Sequence, residues 1–430
     1  MERLTDFGPY VSIFERSCTM ILNRIWIGMF LIAFVVVASK MIFWHDIAVM
    51  KEMIDALSSA AKVGFELSLY LTGAMCLWLG IMRIGENGGA MNALTRAVSP
   101  LFSRLFPEVP KGHPAIGSIM MNFSANMLGL DNAATPLGLK AMSELQELNE
   151  EKEKASNAQI MFLVLNTSGL TIIPVSIFAL RSGMDSPTEV FLPILISTFI
   201  ASLAGLIFVS IRQKINLLNR VVLAYIGTLT LFIGLLLYYV VTHPEQGESV
   251  SIVVGGGLMF GIILTFMLMA IRKKVNVYES FIEGAKGGFD VAIKVIPYLI
   301  AMLCAIAVFR ASGALDGLLD GVRWCVVSLG VTVTEWVDAL PVAFMKPLSG
   351  SGARGAFVEV MQQVQEGNLP SITEKIAATM QGSTETTFYV LAVYFGSVGI
   401  KNVRYAATAG LFADFIGIVA AIIVSYIFFG

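Results

Sequence analysis

The chain has 430 residues, of which 56% are hydrophobic and only 14% charged, and its mean hydropathy is +0.76. A soluble domain carries roughly 25% charged residues, so the composition describes a polytopic membrane protein rather than the several soluble domains that length alone would invite. The net charge of −2 and the lack of a basic stripe speak against nucleic acid as a partner.

Four scattered cysteines (Cys18, Cys76, Cys304, Cys325) read as small core hydrophobes, and three distant histidines (His45, His113, His243) have no metal-ligand spacing. No nucleophile–base pair, phosphate loop or metal cluster is present in the sequence pattern, so neither an enzyme nor a resident cofactor is expected.

Residues 1–24 carry Arg3, Arg16 and Arg24 among apolar residues and suit a surface helix before a first span over 25–43. That span has no small-residue cleavage site after it and is expected to be retained. Residues 46–62 read as interfacial, 64–82 as a second span, and 88–106 as too polar to cross. From His113 to Met142 two short apolar arms flank a polar tip containing glycine and proline. Neither arm is long enough to cross, which predicts a re-entrant hairpin whose tip is covered by protein or water. Residues 143–157 form a solvated, Glu- and Lys-rich stretch.

The apolar run 158–180 is interrupted by Asn166-Thr-Ser-Gly169 and by Pro174. Spans follow over 190–211, 221–241, 252–271 and 288–309, and then a second hairpin over 341–361 with the tip Pro347-Leu-Ser-Gly-Ser-Gly-Ala-Arg-Gly355. The run 376–400 is broken by Gln381-Gly-Ser-Thr-Glu-Thr-Thr387, and a last span covers 405–429. About nine crossings result.

The halves repeat. Lys62-Val-Gly-Phe-Glu66 aligns with Lys286-Gly-Gly-Phe-Asp290 and, without a gap, Gly89-Ala-Met-Asn92 with Gly313-Ala-Leu-Asp316. Farther on, Ser168, Thr171 and Val175 fall on Ser383, Thr386 and Val390. Basic residues flank the loops at Arg212 to Arg220, Arg272 to Lys274 and Lys401 to Arg404, whereas the loop 242–250 has none, so the basic loops are expected in the cytoplasm. Counting spans outward puts the N-terminus inside and the C-terminus outside, and gives the two halves opposite senses. The expected fold is an all-α polytopic membrane protein of two inverted-topology repeats, each with a re-entrant helical hairpin and a broken transmembrane helix. The boundaries are 1–215, a connecting span within 216–250, and 251–430.

Such a layout is that of many secondary transporters, whose sites lie where interrupted segments meet near the midplane. A carboxylate inside the membrane usually faces protein or a water-filled path, which makes Glu385 the candidate for coupling to Na⁺ or H⁺, with Asp131 beside it in that role. Its bland alternative is a salt bridge to Arg354 or Arg310. Asn126, Asn132, Thr135, Asn166, Thr167 and Ser168 from one half, and Ser349, Ser351, Gln381, Ser383, Thr384 and Thr386 from the other, offer donors and acceptors to a polar ligand, and Arg354 offers a cation. Small hydroxylated residues also serve close helix packing. Lys62 with Glu66 and Lys286 with Asp290 read as interfacial i,i+4 pairs.

At these motifs the chain resembles known families. The first half resembles the spore maturation protein A family through His113-Pro-Ala-Ile-Gly, Gly129-Leu-Asp-Asn-Ala-Ala-Thr-Pro-Leu-Gly138, Lys140-Ala-Met and Asn166-Thr-Ser. The second resembles the spore maturation protein B family through Tyr278-Glu-Ser-Phe, Phe309-Arg-Ala-Ser-Gly-Ala-Leu315, Gln381 to Thr387, Tyr394-Phe-Gly and Val398-Gly-Ile-Lys401. The resemblance covers most of residues 50–430 and reads as a fusion of the two. It implies a nucleoside-recognition or gate domain, similar to the hairpin-containing core of concentrative nucleoside transporters, without implying a nucleoside substrate. The expected function is secondary transport of a small polar or anionic metabolite by alternating access in a bacterial inner membrane. The alternative is a non-transporting membrane factor that supports spore or envelope maturation through protein partners. The bilayer and the solute are the expected partners, with a second copy of the chain as a further candidate.

Overall fold

The computed structural model describes residues 9–430, and of residues 9–22, 131 and 132 the backbone only. Seventeen α-helices account for most of it, and among the described residues the only β-pairing is a single bridge between Lys154 and Asn402. Seven helices are long and apolar enough to cross a membrane. They are α1 (Pro9–Trp44, with its apolar part at Asn23–Trp44), α2 (Ala48–Gly88), α8 (Phe191–Gln213), α9 (Arg220–Thr242), α10 (Gly247–Arg272), α11 (Val277–Ala311) and α17 (Ala406–Phe429).

Two expectations about the N-terminal region change. Residues 1–8 lie outside the described residues, as do the side chains of Arg16 and Cys18, but from Pro9 the expected surface segment and the first span are one helix. The interfacial segment over 46–62 likewise joins the second span, because nothing between Ala48 and Gly88 breaks a helix. At 1.5 Å per residue α2 is about 60 Å long, twice the roughly 30 Å hydrocarbon thickness. Its extra turns carry exposed Lys51, Glu52, Asp55 and Lys62. The expected pair Lys62–Glu66 forms at 3.9 Å, while no ion pair joins Lys286 to Asp290 among the described residues.

Helix α2 stops at Gly89 (φ 89°), and α3 (Ala90–Leu105) starts there. Likewise α11 ends at Ser312, and α12 (Ala314–Ser328) begins after Gly313 (φ 83°). Both glycines occupy the left-handed region that closes helices, and they are the pair aligned in the sequence. The first hairpin is α4 (Pro114–Met127) and α5 (Asp131–Glu147), and the second is α13 (Leu340–Met345) and α14 (Gly350–Gln365). The interrupted runs become α6 (Asn157–Thr167) with α7 (Val175–Leu180), and α15 (Ser371–Ser383) with α16 (Thr387–Ser397). A capping box between Ser156 and Gln159 starts α6.

Helices α2 and α11 pack antiparallel along a seam of glycines. An added Cβ on Gly64 would meet Ile300 Cγ1 at 2.7 Å, and one on Gly288 would meet Met75 O at 2.5 Å and Cys76 N at 2.7 Å. Rising along one helix therefore means descending the other. The same holds for α8 and α17, where Gly205 faces Ala413 and Gly417 faces Ala201. Such small residues let membrane helices approach until their backbones touch. The cysteines are less buried than core hydrophobes: Cys76 and Cys304 are half-buried and Cys325 is exposed, because it lies on α12, most of which faces outward.

Candidate functional site

Both interruptions arise from the same chemistry. Helix α6 stops where Thr167-Ser168-Gly169 begin, and the hydroxyls of Thr167 and Ser168 fold back onto the carbonyls of Val164 and Leu165. Gly169 then takes φ +48°, and Pro174 delays the restart until Val175. Helix α15 stops at Ser383, whose hydroxyl donates to Met380 O at 2.9 Å, and Thr384 is fully extended (φ −146°, ψ −179°). Hydroxyls competing for carbonyls near helix ends are the expected means of loosening a helix.

The two interruptions meet. The Glu385 N–H donates to Thr167 O at 2.8 Å, and an added Cβ on Gly169 would lie 2.8 Å from Glu385 Cγ. Each interruption is also tied to the tip of its own hairpin: Ile172 N–H donates to Met127 O at 2.8 Å, and Phe388 N–H donates to Pro347 O at 3.0 Å. Gly129 (φ +69°) at the first tip is pressed so close to the chain after the break that a Cβ would sit 2.6 Å from Ile173 O.

The sequence-predicted residues divide into two groups. A buried polar seam holds Asn166, Thr167, Ser168, Gln381, Ser383, Thr384 and Thr386, all under one-tenth exposed. Asn126 Nδ2 donates to Asn166 Oδ1 at 2.7 Å, and the Tyr394 hydroxyl lies 3.5 Å from the same oxygen while also accepting from Asn122 Nδ2 at 3.3 Å. Ser349 caps α14 by accepting from Gly352 N–H at 3.0 Å, with Ser351 Oγ 3.1 Å away. Thr135 is half-buried on α5, and the side chains of Asp131 and Asn132 lie outside the described residues.

Arg354, half-buried, belongs to a different space. A cavity of about 420 Å³ lies between α2, α11, the first hairpin tip, α7 and α14. Arg354, Gly129, Leu130, Ala133 and Ser176 line it on one side, and Arg83, Glu86 and Glu283 on another. Arg83 is held by Glu86 at 2.8 Å and by Glu283. Leu71, Met75, Leu79, Val291 and Val295 give the rest of the wall an aliphatic surface.

Glu385, the expected coupling carboxylate, is exposed at the break. Its neighbours there are backbone and glycine, which leave the side chain nothing to pack beneath. The bland partners are also set aside, since among the described residues no ion pair reaches Glu385, and Arg310 binds Glu359 at 2.5 Å and Asp316 at 3.1 Å.

The buried carboxylate of the region is Asp414 on α17, which the sequence reading passed over. It is 2% exposed, and its Oδ2 accepts from Thr387 Oγ1 at 2.7 Å. Lys346, buried at the second hairpin tip, and Glu385 are the charged groups whose fields reach it. The signal was available: Asp414 is the sole charged residue between Ala406 and Phe429. Asn122 and Tyr394 were also missed, and neither stands out from its apolar run.

A family model for nucleoside recognition, the gate, matches residues 68–184 and 292–401, together just over half of the chain. The chain belongs to the nucleoside-recognition gate family. The two gate segments begin within α2 and α11 and end just beyond α7 and α16, so each contains one hairpin and one interrupted helix. Spore maturation protein B of Bacillus subtilis (strain 168) is 41% identical over 181 residues, covering 42% of this chain and 93% of that protein. Spore maturation protein A of the same organism is 35% identical over 187 residues, covering 43% of this chain and 92% of that protein. This gate-family chain is thus similar to two separate proteins, and its apolar helices make it a multi-pass membrane protein in contact with lipid.

Proposed function

We propose that this gate-family protein is a secondary transporter of a small polar or anionic metabolite, nucleoside-like or carboxylate, working by alternating access and coupled to Na⁺ or H⁺. One observation carries the reading. Two interrupted helices meet through Glu385 N–H and Thr167 O, each is pinned to its own hairpin tip, and a cavity of about 420 Å³ lies beside the first of those tips. Irregular backbone at membrane depth is tolerated where it lines a cavity or is buried in protein, and transporters place their sites there.

In this reading the halves are inverted copies. The aligned helices α2 and α11 run antiparallel, and so do α8 and α17, as a two-fold axis in the membrane plane would require. The hairpins are re-entrant, since arms of 14, 17, 6 and 16 residues span at most about 26 Å at 1.5 Å per residue. Counting α6 with α7 and α15 with α16 as two broken spans gives nine crossings. The basic loops then put the N-terminus in the cytoplasm and the C-terminus outside a bacterial inner membrane. Glu385, exposed beside both breaks, and Arg354, in the cavity wall, are the groups a polar solute or ion would meet. No reaction is catalysed.

A thermal-shift panel of nucleosides, dicarboxylates and pyridine carboxylates on the purified chain, with and without Na⁺, tests this, followed by flux in liposomes for any hit. A solute that stabilises the protein and moves under a Na⁺ or pH gradient is expected. If none of them shifts the melting temperature and none crosses, the protein is better read as a membrane factor acting through partners.

A further inference from the structure

We propose that the buried carboxylate of Asp414 is the seat of a Na⁺ site, formed where α17 crosses the interruption between α15 and α16. It deepens the transport reading by giving the coupling ion a buried seat, but ion binding at Asp414 does not depend on transport.

The approach is built by two glycines that bracket the acid. A Cβ on Gly410 would lie 2.7 Å from Thr387 Cγ2, and one on Gly417 would lie 2.8 Å from Thr384 Cγ2. Both threonines are therefore pressed onto α17 on either side of Asp414. Thr387 Oγ1 donates to Asp414 Oδ2, and Thr384 lies against the same carboxylate. Yet Asp414 Oδ1 and Thr384 Oγ1 are both fully buried without a well-formed hydrogen bond among the described residues, as is Gln381 Oε1 one turn earlier on α15. Orphaned buried oxygens are costly, and a charged one most of all.

The lone pairs of these three oxygens suit a hard cation. One carboxylate balances one positive charge, which favours a monovalent ion over a divalent one. The other charged groups in reach, Lys346 and Glu385, are of opposite sign. Helix α15 also ends here, at Ser383, with no capping N–H bond, so the negative end of its dipole lies near the site.

The test is thermal unfolding of the purified full-length protein in NaCl, KCl or choline chloride at matched ionic strength. Na⁺ should raise the melting temperature by several degrees, saturably and above the other two salts. Asp414→Asn should abolish the shift, and Thr384→Val should weaken the apparent Na⁺ affinity about five- to tenfold. If Asp414→Asn does not fold, Thr384→Val carries the test alone. Equal effects of all three salts, a Na⁺ shift that survives in Asp414→Asn or is unchanged in Thr384→Val, or stabilisation that follows pH with no preference for Na⁺ would each overturn the site. Na⁺ binding without any solute flux leaves the site standing and removes the transport reading. Flux without a Na⁺ shift does the reverse.

Discussion

Arg181 offers the sharpest test of how the interrupted helices are held. Its side chain, wholly buried at the end of α7, meets Glu374 on α15 through Nε at 2.7 Å and through Nη2 at 3.1 Å. Glu189 binds the same Nη2 at 2.5 Å, and the carbonyls of Pro187 and Ser186 accept from Nη1 at 2.9 and 3.2 Å. Glu189 has a second cation, Lys375, at 3.2 Å. In Arg181→Met the uncompensated charge is therefore that of Glu374, itself 1% exposed, and stranding such a group should cost about 3–5 kcal/mol. Glu374→Gln leaves Arg181 with Glu189 and two carbonyls, so the loss of charge-assisted bonds alone should cost about 1.5–3 kcal/mol. Combining Arg181→Met with Glu374→Gln removes the stranded charge and should return most of the loss, giving a coupling of about 2–4 kcal/mol in a double-mutant cycle. Unfolding of the purified variants in mixed micelles measures all three. An Arg181→Met cost below about 1 kcal/mol, or a double variant as unstable as the sum of the singles, would refute the reasoning.

Other positions give independent checks. Gly288→Val should destabilise by about 1–3 kcal/mol through overpacking against Met75. Gly287→Ala, whose Cβ meets nothing within 4 Å, should gain up to about 1 kcal/mol of helix propensity, and melting temperatures moving in opposite directions would confirm the contrast. Gly129→Ala combines a left-handed φ of +69° with a Cβ 2.6 Å from Ile173 O, and should cost at least about 1–2 kcal/mol with faster hydrogen exchange at Ile172. Glu385→Gln, at an exposed site, should change stability by no more than about 0.5 kcal/mol while removing Na⁺ or pH dependence from any flux the wild type shows. Unaltered gradient dependence would take Glu385 out of the coupling step.

Much of the fold was legible because membrane helices announce themselves by length and apolarity, and because glycine, proline and hydroxyl clusters mark where a helix stops. Asn166 to Pro174 and Gln381 to Thr387 end helices for reasons readable in the residues themselves. Helix α2 was harder, since Lys51 to Lys62 look interfacial in isolation and only tertiary packing shows the helix continuing beyond the apolar stretch. Burial at the site was the least legible. Glu385 drew attention because it sits in a polar cluster, yet that cluster is a break whose backbone leaves the side chain outside. Asp414 looked like one residue in an apolar helix, and its burial follows from Gly410 and Gly417 drawing Thr387 and Thr384, on either side of the break between α15 and α16, onto it. Local sequence marks where the chain bends, whereas which carboxylate is covered depends on the helix that crosses it.

The aligned positions show a second limit of reasoning by symmetry. On the spacing that pairs Ser168 with Ser383, Gln159 corresponds to Glu374, Leu170 to Glu385 and Phe199 to Asp414. Gln159 and Glu374 are equally buried near the start of α6 and α15, but their surroundings differ. Gln159 Oε1 accepts from Ser156 N–H at 2.9 Å, and its Nε2 donates to Gln146 Oε1 at 2.8 Å, in a neutral network where Asn149 joins the amides to Lys154 O. The position matching Arg181 is Gly396, and the cations at that end are engaged elsewhere, Lys152 with Gln146 O, Lys154 with Glu151, Lys401 with Glu153 and Arg404 with Ala155 O. Gln159→Glu would therefore bury a charge with no cation to meet it and lose the donor to Gln146. It should cost about 3 kcal/mol or more, exceeding Glu374→Gln although the two exchanges are mirror images in the alignment. Equal costs, measured by unfolding in the same micelles, would mean that the two ends tolerate charge alike, and the division between an ionic and an amide fastening would have to be abandoned.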